Sequence, residues 1–122
     1  VKTRVVIPTN SQKGEELADH FGRAPYFTIV DLDDDGNVSA TEVYPNTGEH
    51  SGGSGHAHDN VMKYKPHAVI VQGMGPRGIL SFQEQQIAVL QANSKSIAEL
   101  IRAYSRNELS ELTEGCAEAH HR

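Results

Sequence analysis

The sequence predicts an α/β domain, a mixed sheet of about five strands layered between helices. Three observations predict it. The short apolar runs Val5-Val6-Ile7, Ala68-Val69-Ile70-Val71 and Ile87-Ala88-Val89-Leu90 read as strands buried on both faces. Segments of helical spacing lie between or after them, and helices are the usual connections of parallel strands. A D-G turn joins two further β-rich stretches, which adds a hairpin and therefore one antiparallel strand.

Taken in order, Val5-Val6-Ile7 is closed by Pro8-Thr9-Asn10-Ser11, a loop signal. Leu17, His20 and Phe21 predict one or two turns of helix, stopped by Gly22. Tyr26 to Val30 follows Pro25 as a strand, Asp33-Asp34-Asp35-Gly36-Asn37 is the turn, and Val38 to Tyr44 is the return strand. Asn46 to His58 reads NTGEHSGGSGHAH and has no apolar periodicity, so a mobile loop is expected there. A helix is expected around Asp59 to Tyr64, ended by Pro66. After Ala68–Val71 comes GMGPRG, Gly73 to Gly78, and then a helix carrying Ile79, Leu80 and Phe82. Ser96-Ile97-Ala98-Glu99 is a capping-box pattern. It opens a helix whose Ile97, Leu100, Ile101 and Tyr104 form one apolar stripe. The expected organisation is a single domain over 1–112 and a flexible Cys- and His-containing tail over 113–122.

Composition narrows the function. The 122 residues suffice for one domain with a core, and 37% are hydrophobic. A net charge of -5 without a long basic run argues against nucleic-acid binding through phosphate neutralisation. The apolar runs are too short to span a bilayer, so no membrane association is expected. Pro8, Asn10 and Gln12 interrupt the apolar start, unlike a secretory leader. Cys116 is the single cysteine, so no intrachain disulfide can form, and a cytoplasmic setting is expected.

GMGPRG satisfies G-x-G-x-x-G, the dinucleotide fingerprint, and has a strand before it and a helix after. Two features oppose that reading. Pro76 removes an N–H that could face a phosphate, and Gln91-Ala92-Asn93 stands where the ribose-binding acid belongs. No nucleotide is therefore expected. One alternative is conformational: Gly73 and Gly75 permit a tight turn, Pro76 starts the helix, and Gly78 packs against the sheet. The other is an anion site built from free N–H groups and the positive helix end, supplemented by Arg77.

Candidate metal ligands form two groups. His50, His56 and His58 lie in the Gly/Ser-rich loop, and Cys116, His120 and His121 lie in the tail. Imidazole and thiolate suit zinc, copper, iron and iron–sulfur species. His67 precedes a buried strand and reads as structural. The acids Asp31, Asp33, Asp34 and Asp35 gather at a hairpin instead of at the ends of the buried strands, which opposes a metal-dependent nuclease.

His20-Phe21-Gly22-Arg23-Ala24-Pro25-Tyr26-Phe27, HFGRAPYF, resembles the hallmark of the dinitrogenase iron–molybdenum cofactor biosynthesis family. This is the NifX/NafY-like group, which includes the C-terminal region of NifB proteins. Val5-Val6-Ile7-Pro8-Thr9 resembles the family's opening strand, and Ala68 to Pro76 its later strand and glycine turn. The resemblance runs from Val5 to about Leu109. It implies a ribonuclease-H-like fold without the nuclease's acidic site. It also implies a non-catalytic carrier of iron–sulfur-based or molybdenum-containing clusters, working with cluster donor and acceptor proteins. Some small relatives carry a molybdenum–copper sulfide cluster. Because such clusters are anionic, the resemblance points to His20, Arg23, Gly73, Met74, Gly75, Arg77 and Gly78 as the cofactor site, with His20 the first candidate ligand. A lone cysteine cannot supply the four thiolates of an ordinary iron–sulfur cluster. A bound cluster would need exogenous sulfide, a second chain or mostly non-covalent holding, and a monomer or weak homodimer is expected. The competing functions are a metal-responsive regulatory or partner-binding module using the His-rich loop, and a ribonuclease-H-like enzyme.

Overall fold

The computed structural model describes residues 3–13, 15–46 and 60–112. The five strands are β1 (Thr3–Thr9), β2 (Tyr26–Leu32), β3 (Val38–Pro45), β4 (Ala68–Val71) and β5 (Ala88–Gln91). They form one sheet in the order β3-β2-β1-β4-β5. β1 pairs in parallel with β4, and β4 with β5, whereas β2 runs antiparallel to both β1 and β3. The single antiparallel strand is thus β2, and the three apolar runs of the sequence are adjacent parallel strands. β4 is buried throughout, as its uninterrupted apolar composition requires.

Helices cover both faces. On one face Val6, Phe27, Ile29, Val69, Val71 and Val89 pack with Phe82 and Ile79 of α1 (Pro76–Glu84) and with Val61 of a helical turn at 60–63. On the other, Val5, Ile7, Val30, Leu32, Ala68 and Ile70 pack beneath Ile97, Leu100 and Ile101 of α2 (Ile97–Ser105). The capping box is realised in part: the Ser96 hydroxyl accepts the Glu99 N–H, and Leu100 N–H donates to the Ser96 carbonyl. In the hairpin turn Gly36 takes φ 84°, and the Asp33 carboxylate accepts the N–H groups of Asp35 and Asn37.

The expected helix at Leu17–Phe21 does not form. Leu17 bridges Thr9 and Glu16 bridges Ser96, so this segment is extended against the sheet and α2. Its N–H groups find sheet and loop acceptors: Leu17 donates to the Lys95 carbonyl and Ala18 to the Pro8 carbonyl. Only Phe21–Arg23 is helical, as one 3-10 turn. Leu17 and Phe21 are both buried, but into opposite faces of the sheet. Their spacing mimics a helix without being one. At the far edge, Glu111 bridges Leu90, and Leu112 N–H donates to the Val89 carbonyl. That short segment covers β5, whereas β3 is exposed along almost its whole length.

Candidate functional site

The registers Val5↔Ala68 and Val6↔Val69 bring the carboxyl ends of β1 and β4 to the same side of the sheet. Thr9 at the end of β1 faces Tyr26 at the start of β2. Hence the HFGRAP segment enters the sheet on the side from which the glycine turn leaves it. In parallel α/β sheets this side is where ligands collect.

Phe21 fixes the 3-10 turn to the core. Its ring centroid lies 5.7 Å from that of Phe27 and 5.8 Å from that of Phe82, the latter edge-on, which seats the turn against α1. The flanking polar residues point outward. His20 is exposed and makes no side-chain cap on the turn. Arg23 and Arg77 are exposed, and among the described residues neither guanidinium has a bonding partner. Next to His20 in the chain, Asp19 pairs with Lys95 at 2.6 Å. The Lys95 ammonium, by that hydrogen bond and by its charge, holds the Asp19 carboxyl below its ordinary value.

Gly73 and Gly75 are not explained by conformation. Neither has a positive φ, and Gly75 at φ -69°, ψ 160° would admit any residue. Packing does not explain them either, because a Cβ added at either position meets nothing within 4 Å. Gly78 is different, and the expectation that it packs against the sheet is corrected. A Cβ there would lie 2.9 Å from Met74 Sδ, so Gly78 makes room for the partly buried Met74 side chain folding over the first turn of α1. Pro76 occupies that turn's first position, and Ile79 N–H closes onto the Gly75 carbonyl at 3.1 Å. The N–H groups of Arg77 and Gly78 are left without an intrahelical acceptor. The turn therefore presents bare backbone, two donors without an acceptor among the described residues and one cation on its outer surface.

His50, His56, His58, Cys116, His120 and His121 lie outside the described residues. Among the described residues, no three His, Cys, Asp or Glu side chains are grouped to hold a metal ion. His67 is structural, its Nδ1 accepting the Arg4 N–H at 3.0 Å. The hairpin acids are engaged elsewhere: Asp31 takes a bidentate contact from Arg4, and Asp33 organises its own turn. A groove of about 680 Å³, lined by Val30, Val38, Thr41, Ile97, Ile101 and Lys13 among others, lies on the opposite face, under α2. It includes none of the candidate site residues. No helix among the described residues is long and apolar enough to cross a membrane.

Two residues without a sequence signal also stand at this end. Asn46 follows β3, and its side chain bonds both the Ala24 carbonyl and the nearly buried Asn60. The only hint available was an amide residue directly after a strand-ending Pro45.

Residues 3–107 match the family model described as dinitrogenase iron–molybdenum cofactor. An uncharacterized protein of Methanocaldococcus jannaschii is 30% identical over 109 residues, 87% of this chain and 88% of its own length. The solution structure of a Thermotoga protein, provisionally described as a NifB protein, is similar at a TM-score of 0.72 and 25% identity, covering 91% of this chain and 94% of that one. The apo form of the orange protein from Desulfovibrio gigas shares the fold at a TM-score of 0.75 and 18% identity, covering 90% and 92%.

Proposed function

The chain belongs to the dinitrogenase iron–molybdenum cofactor family, and on that premise we propose that it is a non-catalytic carrier of an anionic, iron–sulfur-based or molybdenum-containing cluster. Membership supports a cofactor-related accessory role. The observation that carries the finer reading is the pair Gly73 and Gly75. Neither backbone strain nor packing calls for a glycine there, and what remains is access. A missing Cβ lets a bulky anion approach the free N–H groups at the start of α1.

The arrangement suits cargo better than a resident metal ion. His20 is one imidazole, able to ligate or to donate a hydrogen bond, and Arg23 and Arg77 balance charge. Met74 covers Gly78 and gives the turn an apolar flank. With one cysteine in the chain, holding would rest on hydrogen bonds, charge and few direct ligands. Such a site can release as well as take up a cluster, which suits exchange with donor and acceptor proteins. The Cys116, His120 and His121 tail and the loop histidines are further candidate ligands in this reading.

Anaerobic purification from the native host, with elemental analysis and visible absorption, tests the function. Molybdenum or iron with sulfide, and a matching charge-transfer spectrum, is the expected result. A colourless, metal-free protein that also fails to take up a thiometallate in solution would contradict it.

A further inference from the structure

We propose that Asn46 and Asn60 are positioning residues for the His20–Arg23 turn, an inference that rests on the cluster-site reading above. The turn has little support of its own. Its two backbone bonds, Arg23 N–H to the His20 carbonyl at 3.3 Å and Ala24 N–H to the Phe21 carbonyl at 3.4 Å, are long. His20 adds no cap. Phe21 anchors the inner side. Among the described residues, Asn46 supplies the hydrogen bonds to the carbonyls at the exit of the turn. Its N–H donates to the Pro25 carbonyl at 2.9 Å, and its Nδ2 donates to the Ala24 carbonyl at 2.9 Å. Two successive carbonyls leaving the turn are thereby tied to the end of β3.

Asn60 fixes which way the Asn46 amide points. The Ala24 carbonyl only accepts, so it requires Nδ2, and that leaves Asn46 Oδ1 to accept Asn60 Nδ2 at 2.7 Å. Asn60 is 9% exposed, and its Oδ1 accepts the Lys63 ammonium at 3.4 Å. A carboxylate at position 46 keeps the shape and one acceptor but turns an oxygen against the Ala24 carbonyl. The exit then moves, and the His20 and Arg23 side chains move with it. A carboxylate at position 60 sets an oxygen against Asn46 Oδ1; the Asn46 N–H bond to the Pro25 carbonyl is untouched, and the Nδ2 bond to Ala24 is lost only when the amide turns. The two isosteric substitutions therefore grade the effect.

The test is an anaerobic titration of the full apo chain with tetrathiomolybdate and Cu(I), in wild type, His20→Ala, Asn46→Asp, Asn60→Asp and the double variant His20→Ala/Asn46→Asp. Amide spectra of each variant establish that it is folded. The expected result is a loss of about tenfold or more in affinity for His20→Ala and for Asn46→Asp, and a smaller loss for Asn60→Asp. The double variant should bind no more weakly than the weaker single one, because Asn46 acts through the turn that carries His20. A merely structural role would not give that non-additivity. If His20→Ala loses affinity while Asn46→Asp binds as wild type, or if the two losses multiply, the positioning role is overturned and the cluster site stands. Should Asn46→Asp not fold, wild-type affinity in a folded Asn60→Asp overturns it equally. Wild-type affinity in His20→Ala, or no binding by wild type, removes the site and this proposal together.

Discussion

At the amino ends of the parallel strands, Arg4 of β1 is bound to Asp31 through two nitrogens, to the Tyr64 carbonyl through a third, and through its N–H to His67. At the carboxyl ends of the same strands, His20, Arg23 and Arg77 are exposed, and among the described residues neither arginine side chain has a bonding partner. The glycines differ in the same way. Gly36, at the hairpin turn, sits at φ 84°, where its lack of a side chain serves the backbone. Gly75, in the opposite loop, sits where any residue could, in open space. At one end the cation and the glycine hold the fold; at the other His20, Arg23, Arg77 and Gly75 face solvent while Asn46 and Asn60 brace the backbone behind them. That asymmetry is what makes the carboxyl end the candidate site.

The comparison can be broken most severely at the residue that joins site to core. Phe21→Ala removes a ring packed on Phe27 and Phe82 and should cost about 3–5 kcal/mol in denaturant unfolding. Cluster binding should fall with it; a loss below about 1 kcal/mol would show that the turn is not seated by this ring. Next, His20→Ala should leave stability within about 0.5 kcal/mol of wild type. Its thiometallate affinity should nevertheless fall by roughly 1.5–3 kcal/mol. A stability loss with intact binding would assign His20 to the fold.

The glycines give a paired test. Gly36→Ala should destabilise by about 1–2 kcal/mol because its φ is left-handed. Gly75→Ala should be neutral or stabilising by roughly 0.4–1 kcal/mol, since the unfolded chain loses freedom. It should still weaken cluster binding by obstructing approach to the turn. Equal destabilisation by the two would remove the argument from access. Arg4→Ala comes next, with a stability loss on the order of 1 kcal/mol, discounted because 40% of its side chain is exposed, and with unchanged binding.

The smallest effect belongs to Asp19 and Lys95. The carboxyl is held below its ordinary 3.8 in the folded chain, so its contribution is present above that value and lost as pH falls through the folded one. Lys95→Ala should lower stability slightly at neutral pH, leave it unchanged at low pH where Asp19 is protonated, and so flatten the acid limb of the profile. A large neutral-pH loss would mean that Lys95 does more than hold an exposed pair.

The parallel strands were legible because β4 is buried on both faces and therefore has an unbroken apolar run. The hairpin was legible because Gly36 must supply a positive φ. The segment before Phe21 was not. Leu17 and Phe21 are apolar at helical spacing, yet each is buried by a different face of the sheet, a tertiary fact that periodicity cannot express. The candidate site residues could be named from the sequence, but their surroundings could not. GMGPRG fits the dinucleotide pattern, but Met74 over Gly78, and the bare space at Gly73 and Gly75, appear only in three dimensions. Asn46 and Asn60 gave no signal, because an amide pair across the sheet edge has no sequence period.

The most direct test of the asymmetry is amide-shift mapping of the apo protein during an anaerobic titration with tetrathiomolybdate. The account predicts saturable shifts at residues 20–25 and 73–78, with the turn at 33–37 and the Arg4–Asp31 pair unmoved. Shifts confined to the groove beside Ile97 and Ile101, or to 31–37, would contradict it.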